Sequence, residues 1–287
     1  MKLLLIHGRA QGGKDPDTLR TTWTDALAAG LEKAGVAPLA GDVEIVLPFY
    51  GDLLDELTVG EPDLATRARG TDDPGDRFAA SFILEMAERA GVTEAEILAE
   101  MDGETVEMGP QNWPWVLAAG RALSRRLPDG LASFVVRRLT PDVSAYLTRI
   151  DVRESLDGLV TPHLAADEPC VVVSHSLGTV VAYCSLIRHE SVAKVPLLVT
   201  LGSPLGIDIV KAHLPRPLRR PAPVAHWLNA TDVRDPVALY PRLDRDSFPA
   251  EIENISDVHN AQDDPHGITG YLSDAAVARR IAEALTG

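Results

Sequence analysis

Short apolar segments alternate with amphipathic segments along much of this chain. Lys2 to Ile6 is a continuous apolar run that ends in His-Gly, a pattern typical of a strand buried on both faces. Further strands are predicted at 43–47, 170–173, 196–201, 224–228 and 252–255. Helical spacing and stop signals predict helices at 18–34, 142–164, 177–188 and 269–285. This alternation predicts an α/β fold with a mostly parallel sheet flanked by helices.

The stretch from about residue 51 to 140 breaks the alternation. It has helical patterns at 77–90, 93–101 and 113–127, a loop rich in Gly, Pro and Asp at 59–75, and no convincing buried strand. We therefore expect a helical cap insertion, 51–140, on a core formed by 1–50 and 141–287. Its large apolar residues form either the insertion's own core or the wall of an acyl or aromatic pocket. They are Phe78, Phe82, Ile83, Leu84, Met86, Trp113, Trp115, Val116 and Leu117.

Composition narrows the classes of function. The 287 residues include 42 acidic and 27 basic side chains, a net charge of −15, whereas nucleic-acid binding needs concentrated Lys and Arg. Cys170 and Cys184 lie in apolar segments, which predicts buried thiols and neither a disulfide nor a zinc site. The first apolar run is too short for a signal peptide, and no stretch is long enough to span a membrane. We therefore expect a cytoplasmic protein.

The sharpest chemical signal is Ser174-His175-Ser176-Leu177-Gly178, which connects a β-branched run directly to a helix. A serine at such a turn has strained backbone geometry and a hydroxyl at the carboxyl edge of the sheet. The crowded turn needs small residues two places before and after Ser176, and Ser174 stands where glycine is usual. A serine helix cap is the alternative interpretation. We interpret His175 as a packing or hydrogen-bonding residue because it projects away from Ser176.

A nucleophilic serine needs a base, and the base needs an acid that orients it. Asp235, after the strand at 224–228, is the preferred acid, with Asp232 as the alternative; either can be a turn residue instead. His266, just ahead of the last helix, is the preferred base over His259. The order serine, aspartate, histidine is the one found in α/β-hydrolases.

Two backbone N–H groups are needed for the oxyanion of an acyl-transfer intermediate. Leu177, directly after Ser176, suits the first. The loop from His7 to Gly13 suits the second, with the N–H of Arg9 preferred and that of Ala10 next. A phosphate cradle is disfavoured because the loop has neither a dinucleotide-binding glycine pattern nor a P-loop lysine. The Arg9 side chain either meets an anionic substrate group or pairs with an aspartate.

The segment 174–178, followed by Thr-Val-Val-Ala-Tyr, resembles the nucleophile elbow and first helix of the α/β-hydrolase superfamily, especially its lipase and esterase branches. Residues 201–206 resemble the turn after the next strand in lipase-like members, and His7-Gly8 resembles their oxyanion loop. The resemblance covers roughly 1–50 and 141–287.

This resemblance implies an enzyme that cleaves a small ester or lipid through an acyl-enzyme. Ser176 would attack, His266 would move the proton, Asp235 would orient His266, and no metal or organic cofactor would be needed. Acyl transfer or thioester cleavage on the same residues, and a non-catalytic binding protein of this fold, remain alternatives. The basic loop 214–220 is either solvated or a contact for an anionic substrate or membrane surface.

Overall fold

A single parallel sheet organises the chain. The computed structural model describes residues 1–9, 11–58, 73–101, 112–127, 139–164, 168–189 and 194–286. The strands are β1 (Lys2–Ile6), β2 (Glu44–Val46), β3 (Cys170–His175), β4 (Val195–Leu201), β5 (Val224–Ala230) and β6 (Glu253–Ile255). Their order is β2-β1-β3-β4-β5-β6, and every neighbouring pair is parallel. The predicted α/β fold is therefore confirmed, and all carboxyl ends of the strands lie at one edge.

Helices cover both faces of this sheet. They are α1 (Pro16–Ala34), α2 (Gly51–Thr58), α3 (Pro74–Arg89), α4 (Glu94–Ala99), α5 (Trp113–Arg126), α6 (Thr140–Thr148), α7 (Ile150–Leu164), α8 (Leu177–Arg188), α9 (Asp208–His213), α10 (Ile268–Leu272) and α11 (Ala275–Thr286). The short α2 and α9 were not predicted individually. The predicted loop at 59–75 lies largely outside the described residues, as does Ala10.

The alternation of side chains along β1 explains why Leu3, Leu4, Leu5 and Ile6 are all apolar. Leu3 and Leu5 pack on one face with α1 and α11, whereas Leu4 and Ile6 pack on the other face with helices that include α3 and α5. All four side chains are at most 1% exposed. A strand segment buried on both faces favours apolar side chains at successive positions.

Two predicted helices are each divided in the structure, so the single-helix predictions were wrong. The helix expected at 142–164 is α6 and α7, which meet at an extended Arg149 (φ −104°, ψ 122°). The Arg149 guanidinium donates to the Leu57 carbonyl of α2 at 3.0 Å, a tertiary contact that has no local sequence signal. The helix expected at 269–285 is α10 and α11. Asp274 separates them because its side chain accepts from the N–H groups of Ala276 and Val277.

The described helices of segment 51–140 share a core with the sheet. Phe78, Phe82 and Trp115 lie in the same buried cluster as Leu4 and Ile6 of β1. A smaller cluster joins α3 to α5, and it contains Ala79, Ala80, Ile83, Trp113 and Val116. Most of the large apolar residues of this segment therefore pack into the interior.

Two further predictions concern the chain as a whole. Cys170 and Cys184 are buried free thiols, as predicted, and burial raises the pKa of both to about 12. Within the described residues, no helix has the length and apolar character needed to cross a bilayer.

Candidate active site

Ser176 stands at the turn between β3 and α8. Its φ of 56° and ψ of −130° make it the single non-glycine residue with positive φ in the described part of the chain. Such a conformation costs about 1–3 kcal/mol and persists only where the surrounding structure enforces it. Here the Ser176 N–H donates to the Leu201 carbonyl at 3.0 Å, and the Ser176 carbonyl accepts from the Thr179 N–H and hydroxyl. The turn is therefore held from both sides.

The hydroxyl of Ser176 is buried and takes part in no hydrogen bond within the described part of the chain. The residue is 1% exposed, and its Oγ has no hydrogen-bond partner among the residues that the structure describes. A helix-capping serine would accept a bond from an N–H of the first helical turn, and Ser176 makes no such bond. The geometry therefore disfavours the capping interpretation.

Small residues flank Ser176 for identifiable reasons. A Cβ on Gly178 would collide with the carbonyl oxygens of Ile6 and His7 at the end of β1. Ser174 is fully buried, and its hydroxyl donates to the Val199 carbonyl of β4 at 2.9 Å. Serine fits the position where glycine is usual because its one polar atom finds a partner there.

Asp235 and His266 are brought together across 31 residues of sequence. The His266 Nδ1 donates to Asp235 Oδ2 at 2.8 Å, and the two side chains are 6% and 0% exposed. Because a carboxylate only accepts, this bond fixes the proton of the neutral imidazole on Nδ1 and makes Nε2 the basic nitrogen. The pair has the relation that an acid and an oriented base require.

Two further donors hold the Asp235 carboxylate. The Val237 N–H donates to Oδ1 at 2.8 Å, and the Tyr271 hydroxyl of α10 donates to Oδ2 at 2.6 Å. Burial and the charge of Asp235 raise the pKa of Tyr271, so its hydroxyl stays protonated and remains a donor. Tyr271 was not singled out from the sequence, since a lone tyrosine in the last helical segment carries no pattern.

Asp232 has a different set of contacts. Its carboxylate accepts from the backbone and guanidinium of Arg234 and from the Asn260 N–H at 2.8 Å. Burial acts to raise the pKa of Asp232, but these hydrogen bonds outweigh it and the pKa is lowered. Asp232 thus closes a turn and ties it to the next loop. His259, the alternative base, is exposed on that loop.

Gly202 provides the room in which the Asp235–His266 pair sits. It follows β4 with a φ of 53°, a conformation that favours glycine. A Cβ there would lie 2.7 Å from Asp235 Oδ2 and 3.1 Å from His266 Nδ1. The turn that resembled a family feature is therefore in direct contact with both side chains.

His175, between the two serines, supports the loop of His266. Its Nε2 donates to the His266 carbonyl at 2.9 Å, and the two rings lie 4.6 Å apart at 34°. Burial and the neighbouring His266 lower the pKa of His175 well below its usual range, so the ring is neutral. The sequence interpretation of His175 as a packing and hydrogen-bonding residue agrees with these contacts.

The loop after β1 reaches the serine. A Cβ on Gly8 would lie 2.7 Å from the Ser176 Cβ and 3.3 Å from its Oγ, so the backbone of residue 8 is in contact with the turn at Ser176. Leu177 begins α8, and its N–H belongs to the first turn, where amides have no acceptor within the helix. Both predicted donor regions therefore adjoin Ser176.

The open question about the Arg9 side chain is answered by its partners. The guanidinium pairs with Asp55 at 3.0 Å and with the buried Asp142. Its charge is thus already matched by two carboxylates. The structure thus shows the aspartate-pairing alternative for the Arg9 side chain.

A cavity of about 530 Å³ opens beside Ser176 and His266. Its wall includes residues that follow β1, residues of α1, and residues at the start of α10. They are Arg9, Gln11, Lys14, Asp15, Leu19, Trp23, Asp264, Gly267 and Ile268. None of the described residues of segment 51–140 lines it, so the apolar pocket expected from that segment is not seen there. The wall formed by α1 was missed because its lining residues also fit an ordinary amphipathic helix.

Other candidate features lie elsewhere or are not found. Arg220, in the predicted basic loop, lines a second cavity with Arg242 and Glu253, beside the amino ends of β5 and β6. Because the strands are parallel, this is the edge of the sheet opposite to Ser176. Within the described residues, no group of three or more His, Cys, Asp or Glu side chains could hold a metal ion.

Similarity to characterised proteins adds nothing to this geometry. A scan against protein-family models, a search of curated proteins and a search of solved structures each returned no match for this chain.

Proposed function

We propose that this chain is a serine hydrolase of the α/β-hydrolase type that cleaves a carboxylic ester through an acyl-enzyme. One observation carries the proposal: the buried Asp235–His266 hydrogen bond lies at the same cavity as the strained Ser176. A buried carboxylate, an oriented imidazole and an unengaged hydroxyl together match the needs of nucleophilic catalysis. The lack of a hydrogen bond to Ser176 Oγ is compatible with this role, because catalytic bonds often tighten only when substrate binds.

The reaction follows from the roles of these groups. Ser176 Oγ attacks the ester carbonyl carbon, its proton passes to His266 Nε2, and the carbonyl electron pair moves to the oxygen. The N–H groups of Leu177 and Arg9 stabilise that oxyanion, which the amino end of α8 also favours. Collapse expels the alcohol, which takes the proton from His266. Water, deprotonated by His266, then attacks the acyl-enzyme, and Ser176 regains its proton as the acid leaves.

Covalent labelling tests the proposal directly. A fluorophosphonate probe should label the wild-type chain at Ser176, and Ser176→Ala should abolish labelling and lower p-nitrophenyl ester turnover about a thousandfold or more. Ser174→Ala is the matched control, since that hydroxyl is committed to the Val199 carbonyl; it should still be labelled. Labelling and turnover that survive in Ser176→Ala would refute the assignment. A folded wild-type chain that is never labelled would favour a binding protein.

A panel of esters separates the related activities. Competing alcohol or amine acceptors distinguish acyl transfer from hydrolysis by the product formed. Acyl groups of graded length, with and without lipid micelles, distinguish a small ester from a lipid as substrate. Thioester analogues of the best ester test the thioesterase alternative.

A further inference from the structure

Hydrogen bonds and ion pairs restrain the loop that follows β1 at His7, Gly8 and Arg9. Within it, the His7 Nδ1 bonds to the Gly8 carbonyl at 2.7 Å, and the Gln11 amide donates to the Arg9 carbonyl at 2.9 Å. The Tyr50 N–H donates to His7 Nε2 at 3.1 Å, so the Nδ1 of neutral His7 carries the proton and acts as the donor. The carbonyls on both sides of the Arg9 Cα are therefore held.

These contacts fix the direction of the Arg9 N–H. In a trans peptide, the carbonyl and the N–H of the next residue point in opposite directions. Because the Gly8 carbonyl faces His7, the Arg9 N–H must face away from the His7 ring. The Arg9 N–H can then change its direction only if the whole loop moves. The ion pairs of the Arg9 side chain oppose such a movement.

The Arg9 side chain anchors the loop to elements outside it. Its Nε pairs with Asp142 in the first turn of α6, and its Nη2 pairs with Asp55 of α2 at 3.0 Å. Asp142 is 1% exposed, whereas the Asp55 side chain is 46% exposed. A buried ion pair is a weak source of stability, because desolvation of both charges offsets their attraction. The main contribution of the Arg9–Asp142 pair is therefore to fix where the loop lies, and its contribution to stability is small.

We infer that Asp142 is a positioning residue, which acts through the Arg9 guanidinium to hold the Arg9 N–H in place for the oxyanion. This inference rests on the proposed function. A preorganised oxyanion donor contributes about 10²–10³ in kcat, so a loop that is free to shift loses part of that factor. The oxyanion exists only after attack, and the loss therefore falls on kcat while KM changes little.

The test compares Asp142→Asn with a matched variant, Asp157→Asn. Asp157 of α7 forms another largely buried carboxylate–arginine pair, with Arg188 of α8 at 2.9 Å. Both substitutions remove one charge from a buried pair, so both are expected to lower the melting temperature. Only Asp142→Asn should lower kcat, by about 10- to 100-fold with KM within threefold, after active-site titration has counted the folded enzyme.

A double variant keeps the test valid if Asp142→Asn fails to fold. Replacing a buried pair with apolar residues is often neutral for stability, so Arg9→Met/Asp142→Leu should regain stability. It should not regain kcat, because the loop is still unanchored. A double variant with wild-type kcat would show that the pair serves stability alone and would overturn the inference.

Amide hydrogen exchange provides a readout that does not depend on turnover. Exchange in a peptide covering residues 7–13 should be faster in Asp142→Asn and unchanged in Asp157→Asn. Unchanged exchange in Asp142→Asn would overturn the inference even if the enzyme is active. Faster exchange with an unchanged kcat would also overturn it, whereas a wild-type chain without labelling or turnover would show that the proposed function itself has failed.

Discussion

The carboxyl edge of the sheet and the α3–α5 helix pair are both buried, but they bury different groups. On these helices, Phe82 packs in the cluster shared with the sheet and Val116 in the smaller cluster between α3 and α5; both are fully buried among apolar side chains, and their packing is non-directional. At the sheet edge, buried polar side chains such as Asp235 and His266 are held by hydrogen bonds from several segments. The helix pair stabilises the fold through its buried apolar area. The sheet edge buries polar groups at a cost in stability, and their hydrogen bonds fix the orientations of the side chains. Substitutions should therefore separate stability from chemistry according to region.

The largest contrast is expected between Asp235 and Asp232, which share one turn after β5. Asp235→Asn should lower kcat about 10³- to 10⁴-fold, because it favours the wrong tautomer of His266. Asp232→Asn should lower the free energy of unfolding by about 1–3 kcal/mol through its lost turn contacts, with kcat within about tenfold. Steady-state kinetics and urea unfolding of the two variants measure both quantities. A larger kcat loss in Asp232→Asn than in Asp235→Asn would reverse the assignment of the acid.

The helix pair should behave in the opposite way. Phe82→Ala removes a fully buried ring from α3 and should lower the free energy of unfolding by about 3–5 kcal/mol. The kcat of the folded fraction should stay within about threefold of wild type, since no described residue of this segment lines the cavity beside Ser176. Active-site titration combined with chemical denaturation makes the comparison. A selective fall in kcat with unchanged stability would mean that the helix pair contributes to the site.

The smallest expected effect is on the pH dependence of stability, and it comes from the buried His7 at the end of β1. Burial lowers the pKa of His7 to about 4, below its usual 6.5. The neutral ring stabilises the fold fully above pH 6.5, and this contribution is lost as the pH falls from 6.5 towards 4, because only the unfolded chain takes up the proton. Between pH 7 and pH 5 the loss is about 2 kcal/mol. His175 acts in the same direction.

Urea unfolding at these two pH values measures the effect of His7. His7→Gln removes this titration, so its stability should fall by about 2 kcal/mol less than that of wild type over the same interval. The Phe82→Ala variant retains His7 and should keep the wild-type dependence on pH. Equal pH dependence in wild type and His7→Gln would show that His7 is not buried as a neutral ring.

The sequence predicted the features that depend on neighbouring residues. A β-branched run followed by small residues at 174 and 178 located the strained turn at Ser176, because the turn itself demands that spacing. The bounds of most strands agree with the pattern to within about two residues. The order of the segments also identified Asp235 and His266 as candidates, and the structure places them in contact.

Features that depend on distant contacts were not accessible in this way. The preference for Asp235 over Asp232 gains its physical reason from Tyr271 and Gly202, each more than 30 residues away from Asp235. The break at Arg149 depends on a carbonyl of α2, and the cavity wall depends on the placement of α1. Local periodicity contains no information about which surface a helix will meet.

The pairing of β1 with β3 has a consequence for how the site comes into being. Lys2 lies opposite Cys170, so the strands that precede the His7–Gly8 loop and Ser176 pair across more than half of the chain. Contacts of such high sequence separation form slowly, because a long loop must close first. Recovery of ester turnover during refolding should thus lag behind the recovery of helical signal. The time at which ester turnover returns would then report when the pairing of β1 with β3 is complete.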